Sequence, residues 1–150
     1  MKVKCDEEGI KKTSQVIDEG GIVVFPTDTV YGIGCNPYNE HAVKKIYEIK
    51  SRAKVKSLPV LAYSIDIVKK IVTIDEFTEK IIEKNWPGPL TLILELTDQK
   101  LKKSLNLQNK IAVRIPDSKC TLKLLAKCEL IVGTSANISG NSSYTNPDDC

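Results

Sequence analysis

Histidine is nearly missing from this chain: His41 is the one copy in 150 residues. Zinc sites and Ser-His or Cys-His nucleophile systems therefore lack ligands or a base. The five cysteines, at positions 5, 35, 120, 128 and 150, form no CxxC pair and no metal-like spacing. An odd count of this kind fits reduced thiols in the cytosol, and Cys35 as a lone nucleophile would have no partner base. No apolar run approaches the roughly 18 residues of a membrane span. The N-terminal stretch MKVKCDEEGIKK has no apolar signal core, so the expected compartment is the cytoplasm, with no membrane contact. There is no GxxxxGK(S/T) phosphate loop, and the GxG at Gly32 and Gly34 lacks the third glycine of a dinucleotide fingerprint. These absences leave positioning and charge as the means of any chemistry.

What is present is an ordinary globular composition, 41% hydrophobic and 27% charged. The length suits one domain over residues 1–150. Spacing predicts a helix from Glu7 to Glu19, ended by Gly20-Gly21, then a strand in GIVVF. A helix over residues 40–51 is followed by a basic connector and the strand-like LPVLAY. Helices near 64–71 and 75–85 precede a Pro/Gly turn and strong strand in NWPGPLTLILEL. KIAVRI reads as a strand, residues 118–127 as a helix and LIVG as a strand. Interleaved strands and helices imply an α/β fold, a mixed sheet covered by helices.

Four places could carry chemistry. In PTDTVYGIG, an extended chain over residues 27–31 would put Thr27, Thr29 and Tyr31 on one face; a β-turn with solvated threonines is the alternative. Six cations crowd into residues 44–56: Lys44, Lys45, Lys50, Arg52, Lys54 and Lys56. Lys50 and Arg52 would point the same way on an extended chain, and Arg can grip a phosphate with two parallel bonds. Cations closing a helix are also favourable with no ligand at all. Arg114 is the one charge in the apolar strand IAVRIP and calls for an anionic partner, either a protein carboxylate or a ligand. Finally, LIVGTSANISG runs a buried strand into Ser135 and Asn137, beyond a strand end where open α/β sheets bind ligands; a local Ser or Asn turn is equally available. Together these supply hydroxyls, cations and Ser/Asn, the inventory for holding a nucleoside triphosphate and a small carboxylate.

The stretches PTDTVYGIG, IKSR, WPGPLT, VRIP and GTSANISG, in this order over residues 20–145, resemble the YrdC-like threonylcarbamoyl-AMP synthases. The resemblance implies a twisted mixed sheet flanked by helices around a deep basic cavity. It implies an enzyme, a nucleotidyltransferase joining L-threonine, bicarbonate and ATP, with Mg²⁺ accompanying the phosphates. The product would pass to a tRNA-modifying threonylcarbamoyl transferase complex, and the basic cavity could itself meet RNA. By position, Thr29, Arg114 and Ser135 are expected on threonine. Lys50, Arg52, Lys56, Asn137 and Thr145 are expected on ATP, and Lys50, Arg52, Ser135 and Asn137 form the expected catalytic set. Some members carry a histidine in the strand after the connector; the aligned position here is Leu61. Family domains run several tens of residues further, with another threonine-side serine and an ATP-side arginine, so a C-terminally shortened domain is expected. Two alternatives stand beside this reading: a non-catalytic RNA-binding module using residues 44–56, and related carbamoyl-adenylate chemistry on another substrate.

Overall fold

A computed structural model describes residues 1–150. Helices start where short polar side chains can cap them. Asp6 accepts from Gly9 N at 2.9 Å and opens α1 (Glu7–Asp18), whose first turn carries Glu7 and Glu8 against the positive end of the dipole. Asn39 accepts from Ala42 N at 3.0 Å and opens α2 (Glu40–Ile49). Its buried residues Ala42, Val43, Ile46 and Tyr47 recur at helical spacing and form one stripe. Ser64, Asp75, Asp98 and Ser118 do the same for α3 (Ile65–Ile71), α4 (Glu76–Asn85), α5 (Gln99–Ser104) and α6 (Lys119–Cys128).

The strands form two sheets. β1 (Val23–Phe25), β2 (Gly32–Gly34) and β8 (Thr134–Ser135) make a small antiparallel sheet in the order β1-β2-β8. The larger sheet takes β3 (Val60–Ala62), β4 (Val72–Thr73), β5 (Leu92–Leu96), β6 (Lys110–Arg114) and β7 (Leu130–Val132) in the order β4-β5-β6-β3-β7. It is mixed: β3 runs parallel to β6, and its other pairings are antiparallel. The α/β mixed sheet flanked by helices is therefore the architecture expected. One face of the larger sheet buries Val60, Ala62, Leu94, Leu96, Ile111, Val113, Leu130 and Val132 in the main core with α2. By strand alternation the other face presents Leu61, Arg114 and Ile131. There Leu61 and Ile131 join α1 and α6 in a second cluster with Phe25, Leu124 and Leu125.

Five short elements lie outside the sequence reading, among them the two-residue β4 and a 3-10 turn over Pro147–Asp149. α5 is six residues with one fully buried side chain, Leu101, too short to show a period. β2 was read only as a glycine pair. An added Cβ at Gly34 would sit 1.9 Å from the carbonyl oxygen of Val132, so this glycine allows close approach between the two sheets, while Gly32 makes room for the Phe25 ring of the neighbouring strand. β8 is two residues long.

The cysteine expectation is corrected. α1 packs along α6, which brings Cys5 and Cys120 to a Cα–Cα distance of 5.7 Å, and the two form a disulfide. They lie 115 residues apart, so spacing rules for neighbouring cysteines could not pair them. Cys35, Cys128 and Cys150 are free.

Candidate functional site

The segment after β1 turns back on itself instead of extending. Thr27 Oγ1 accepts from the amides of Thr29 and Val30, each at 3.2 Å, and donates to the Val30 carbonyl at 2.6 Å. This corrects the expected row of hydroxyls on residues 27–31, because local side-chain bonds of threonine compete with extended backbone. Thr27 and Thr29 hydroxyls lie 3.0 Å apart. A hydroxyl has one proton, and that of Thr27 goes to Val30, so Thr29 is the donor in this pair. Its lone pairs remain for the Arg114 guanidinium, 3.4 Å away. Tyr31 packs against the main core and its backbone is paired on both sides, N–H to Tyr144 O and C=O to Ala136 N.

Arg114 ends β6 on the side of the sheet away from the main core. Its guanidinium is held from three directions: Nε donates to Gly88 O at 2.8 Å, one terminal nitrogen to Thr29, and the other forms an ion pair with Asp28. The two side chains of the pair are 12% and 15% exposed. Of the two partners left open for this arginine, the protein carboxylate is present. Asp28 was not singled out from sequence, although an arginine in an apolar strand demanded some such residue. WPGPLT supplies the second support: Trp86 Nε1 donates to Leu90 O at 2.7 Å, and Gly88 N to Ile115 O at 2.9 Å. These bonds fix the turn that offers Gly88 O.

Ser135 lies in β8 opposite Gly32. Thr29, Arg114 and Ser135 thus reach one small cavity of about 60 Å³, together with Thr27, Leu61, Gly133 and Thr134. At roughly 30 Å³ per water molecule, it has room for the head group of a small solute and none for a nucleotide.

Of the remaining expected residues, Lys50, Asn137, Arg52 and Lys56 lie at or just past the end of α2. Lys50 is 2% exposed, and its ammonium donates to the carbonyls of Ser135 and Asn137, the latter at 2.6 Å. Burial, then the neighbouring Arg52 charge, pushes its pKa down. Asn137 is 9% exposed; its amide nitrogen donates to Ile138 O and Asn141 O, both at 2.9 Å, and Ser143 donates to its oxygen at 3.4 Å. Arg52 donates to the carbonyls of Lys56 and Ser57 at 3.1 and 3.0 Å, and Tyr47 also donates to Lys56 O. The Lys56 side chain is exposed, as is Thr145, next to the Tyr144 that accepts from Tyr31. The structure therefore unites Thr29, Arg114 and Ser135 in one cavity, and Lys50 with Asn137 behind it. Arg52 and Lys56 stand on the connector.

Lys50, Arg52 and Lys56 line neither this cavity nor a larger one of about 740 Å³ between the N-terminal segment, α1, β1 and α6. The larger space is lined mostly by apolar side chains, among them Ile10, Val23, Phe25 and Leu124. The single deep basic cavity expected from the sequence is not found in either. Cys35 is fully buried, and burial pushes its thiol up to about 12, which leaves it a poor nucleophile.

Comparison with known proteins gives one direction. The Sua5, YciO and YrdC family model, described as "Telomere recombination", matches residues 15–150. The threonylcarbamoyl-AMP synthase of Pyrococcus abyssi is 36% identical over 147 residues, 97% of this chain and 43% of that protein. That of Aliivibrio fischeri is 34% identical over 140 residues, 87% of this chain and 75% of its own length. The crystal structure of P. abyssi Sua5 complexed with L-threonine superposes with a TM-score of 0.89 at 34% identity, covering 99% of this chain and 44% of that one. The chain thus spans less than half of the Pyrococcus protein and three quarters of the Aliivibrio one.

Proposed function

The chain belongs to the Sua5, YciO and YrdC family, and from that membership we propose that it joins L-threonine, bicarbonate and ATP into L-threonylcarbamoyl-AMP. The observation that carries the reading is the convergence of Thr29, Arg114 and Ser135, from three distant segments, on one cavity. A relative's structure with bound L-threonine supports the same amino acid here. The substrate carboxylate takes the Arg114 N–H groups that Gly88, Thr29 and Asp28 leave open, and the Thr29 and Ser135 hydroxyls orient the rest of the molecule.

The neutral amine attacks the carbon of bicarbonate. An N–C bond forms and hydroxide leaves with the amine proton as water, giving a carbamate. A carbamate oxygen then attacks the α-phosphorus of ATP, and pyrophosphate departs. Such displacements need alignment and charge neutralisation more than covalent help. Arg52 and Lys56 are assigned to the phosphates, and Asn137 and Thr145 to the nucleotide. Arg52 now holds neutral carbonyls, which a phosphate can replace with stronger charge-assisted bonds. No group of three or more His, Cys, Asp or Glu side chains is placed to hold a metal ion. Magnesium would accompany the phosphates, where its charge would offset that of the departing pyrophosphate.

The product would serve tRNA modification in the cytoplasm; no helix is long and apolar enough to cross a membrane. A second role for residues 44–56 is favoured by the exposure of Lys44 and Lys45 on α2 and of Lys54 and Lys56 on the connector, which suits RNA phosphates. With ATP, bicarbonate and labelled L-threonine, the protein should release pyrophosphate only when all three are present and yield a labelled adenylate. Release with carbamoyl phosphate instead of threonine and bicarbonate would move it to carbamoyl-adenylate chemistry on another substrate. No release, with tRNA binding that falls steeply with salt, would leave an RNA-binding module.

A further inference from the structure

Lys50 is an unusual place to find a cation. It caps the C-terminus of α2, is 2% exposed, and takes part in none of the molecule's ion pairs. A buried ammonium without a counter-ion is costly unless hydrogen bonds to the protein replace those to water. Here two of them reach the main-chain carbonyls of Ser135 and Asn137, an i, i+2 pair that converges on one nitrogen. The Lys50 carbonyl in turn accepts from Ser139 N at 2.8 Å. Three bonds thus tie one residue of α2 to one turn. The turn is anchored elsewhere only by Ala136 N on Tyr31 O at 2.8 Å, by the β2–β8 pairing, and by the Asn137 side chain itself.

We infer that Lys50 is a positioning residue: it holds the Ser135–Asn137 turn in register with α2, and it does not grip a phosphate with its own charge. The inference rests on the proposed reading only in taking Ser135 and Asn137 as substrate contacts. Ser135 opens on the threonine side and Asn137 on the nucleotide side, so one ammonium keeps both half-sites at a fixed separation. Arg52, two residues on, is carried by the same helix end. Arginine is no substitute at this position. A flat fork cannot enter so closed a space, and its donors diverge where the two carbonyls converge.

The test begins without ligand. Hydrogen exchange is followed in wild type and Lys50→Met at the amides of Ala136 and Ser139, with Val113 and Val132 as core references. Exchange should quicken tenfold or more at the turn and stay unchanged in the core. L-threonine and ATP are then titrated separately by calorimetry. Both affinities should fall tenfold or more in Lys50→Met and in Lys50→Arg alike. Unchanged exchange at the turn, with ATP affinity alone reduced and restored by Lys50→Arg, would overturn the inference in favour of a phosphate contact. Should Lys50→Met not fold, Lys50→Gln removes the charge, keeps a neutral amide nitrogen that can donate, and is held to the same criteria. Wild type that binds neither ligand would defeat the proposed function, and the exchange data would still decide the role of Lys50.

Discussion

Neutralising either half of the Arg114–Asp28 pair should destabilise the fold, and neutralising both should cost less than the sum. At about 4 Å and an effective dielectric near 20, two unit charges attract by about 4 kcal/mol. Fully exposed pairs return only about 0.2–1 kcal/mol of this, while breaking a buried pair costs about 3–5 kcal/mol. With side chains 12% and 15% exposed, the pair lies nearer the buried limit, and Arg114 keeps its bond to Gly88 O whatever happens at Asp28. Asp28→Asn should therefore cost about 2 kcal/mol, Arg114→Met about 3 kcal/mol, and the two should couple by about 1.5 kcal/mol. For a chain of this size that places the single variants roughly 4–12 °C below wild type. Urea denaturation of the four proteins in the cycle gives the coupling directly. Additivity within about 0.3 kcal/mol would refute the claim that Asp28 orients Arg114 electrostatically.

Arg52→Ala should abolish ATP-dependent product while melting within a few degrees of wild type, because its present partners are two carbonyls on an exposed connector; normal product formation would remove Arg52 from the phosphates. Gly34→Ala should destabilise by about 3 kcal/mol or more, since the new carbon would lie 1.9 Å from Val132 O, and an unchanged urea midpoint would mean the two sheets part easily. Burial raises the Cys35 thiol to about 12 and the Cys128 thiol to about 11. Raised folded-state values stabilise the protein fully below the ordinary thiol pKa, near 8.5, and that stability is lost as pH rises toward 11–12. Denaturation midpoints should therefore fall between pH 8 and pH 11, and Cys35→Ala should flatten the decline. In the native protein at pH 8 a thiol reagent should modify the exposed Cys150 and spare Cys35.

The sequence discloses whatever repeats locally. α1, α2, α4 and α6 combine a capping side chain with an apolar stripe, and both are visible within a dozen residues. β5 and β6 are long enough to alternate. Arg114 and Ser135 could be named as candidates because each follows on an apolar run, whereas Thr29 was separated from Thr27 and Tyr31 only by the family resemblance. What stayed hidden depends on distance along the chain. Asp28 is recognisable as the partner of Arg114 only when two segments 86 residues apart meet. The donors of Lys50 go to backbone atoms, which every residue possesses and no letter announces. Thr27 and Thr29 looked equivalent until the single proton of Thr27 went to its own turn.

The passage from β7 to β8 is one residue long. Val132 ends a strand of the large sheet, Thr134 begins one of the small sheet, and Gly133 alone lies between, with N–H bonded to Pro59 O at 3.0 Å and no space for a side chain beside Leu61. Side chains on strands alternate sides, so this corner acts as a phase lock. Adding or deleting a single residue at position 133 would slip β8 by one place against β2, so that Ser135 no longer stood opposite Gly32. The corner's length, as much as its composition, is what selection must keep constant. An indel here would break the β2–β8 register that sets Ser135 beside Thr29 and Arg114.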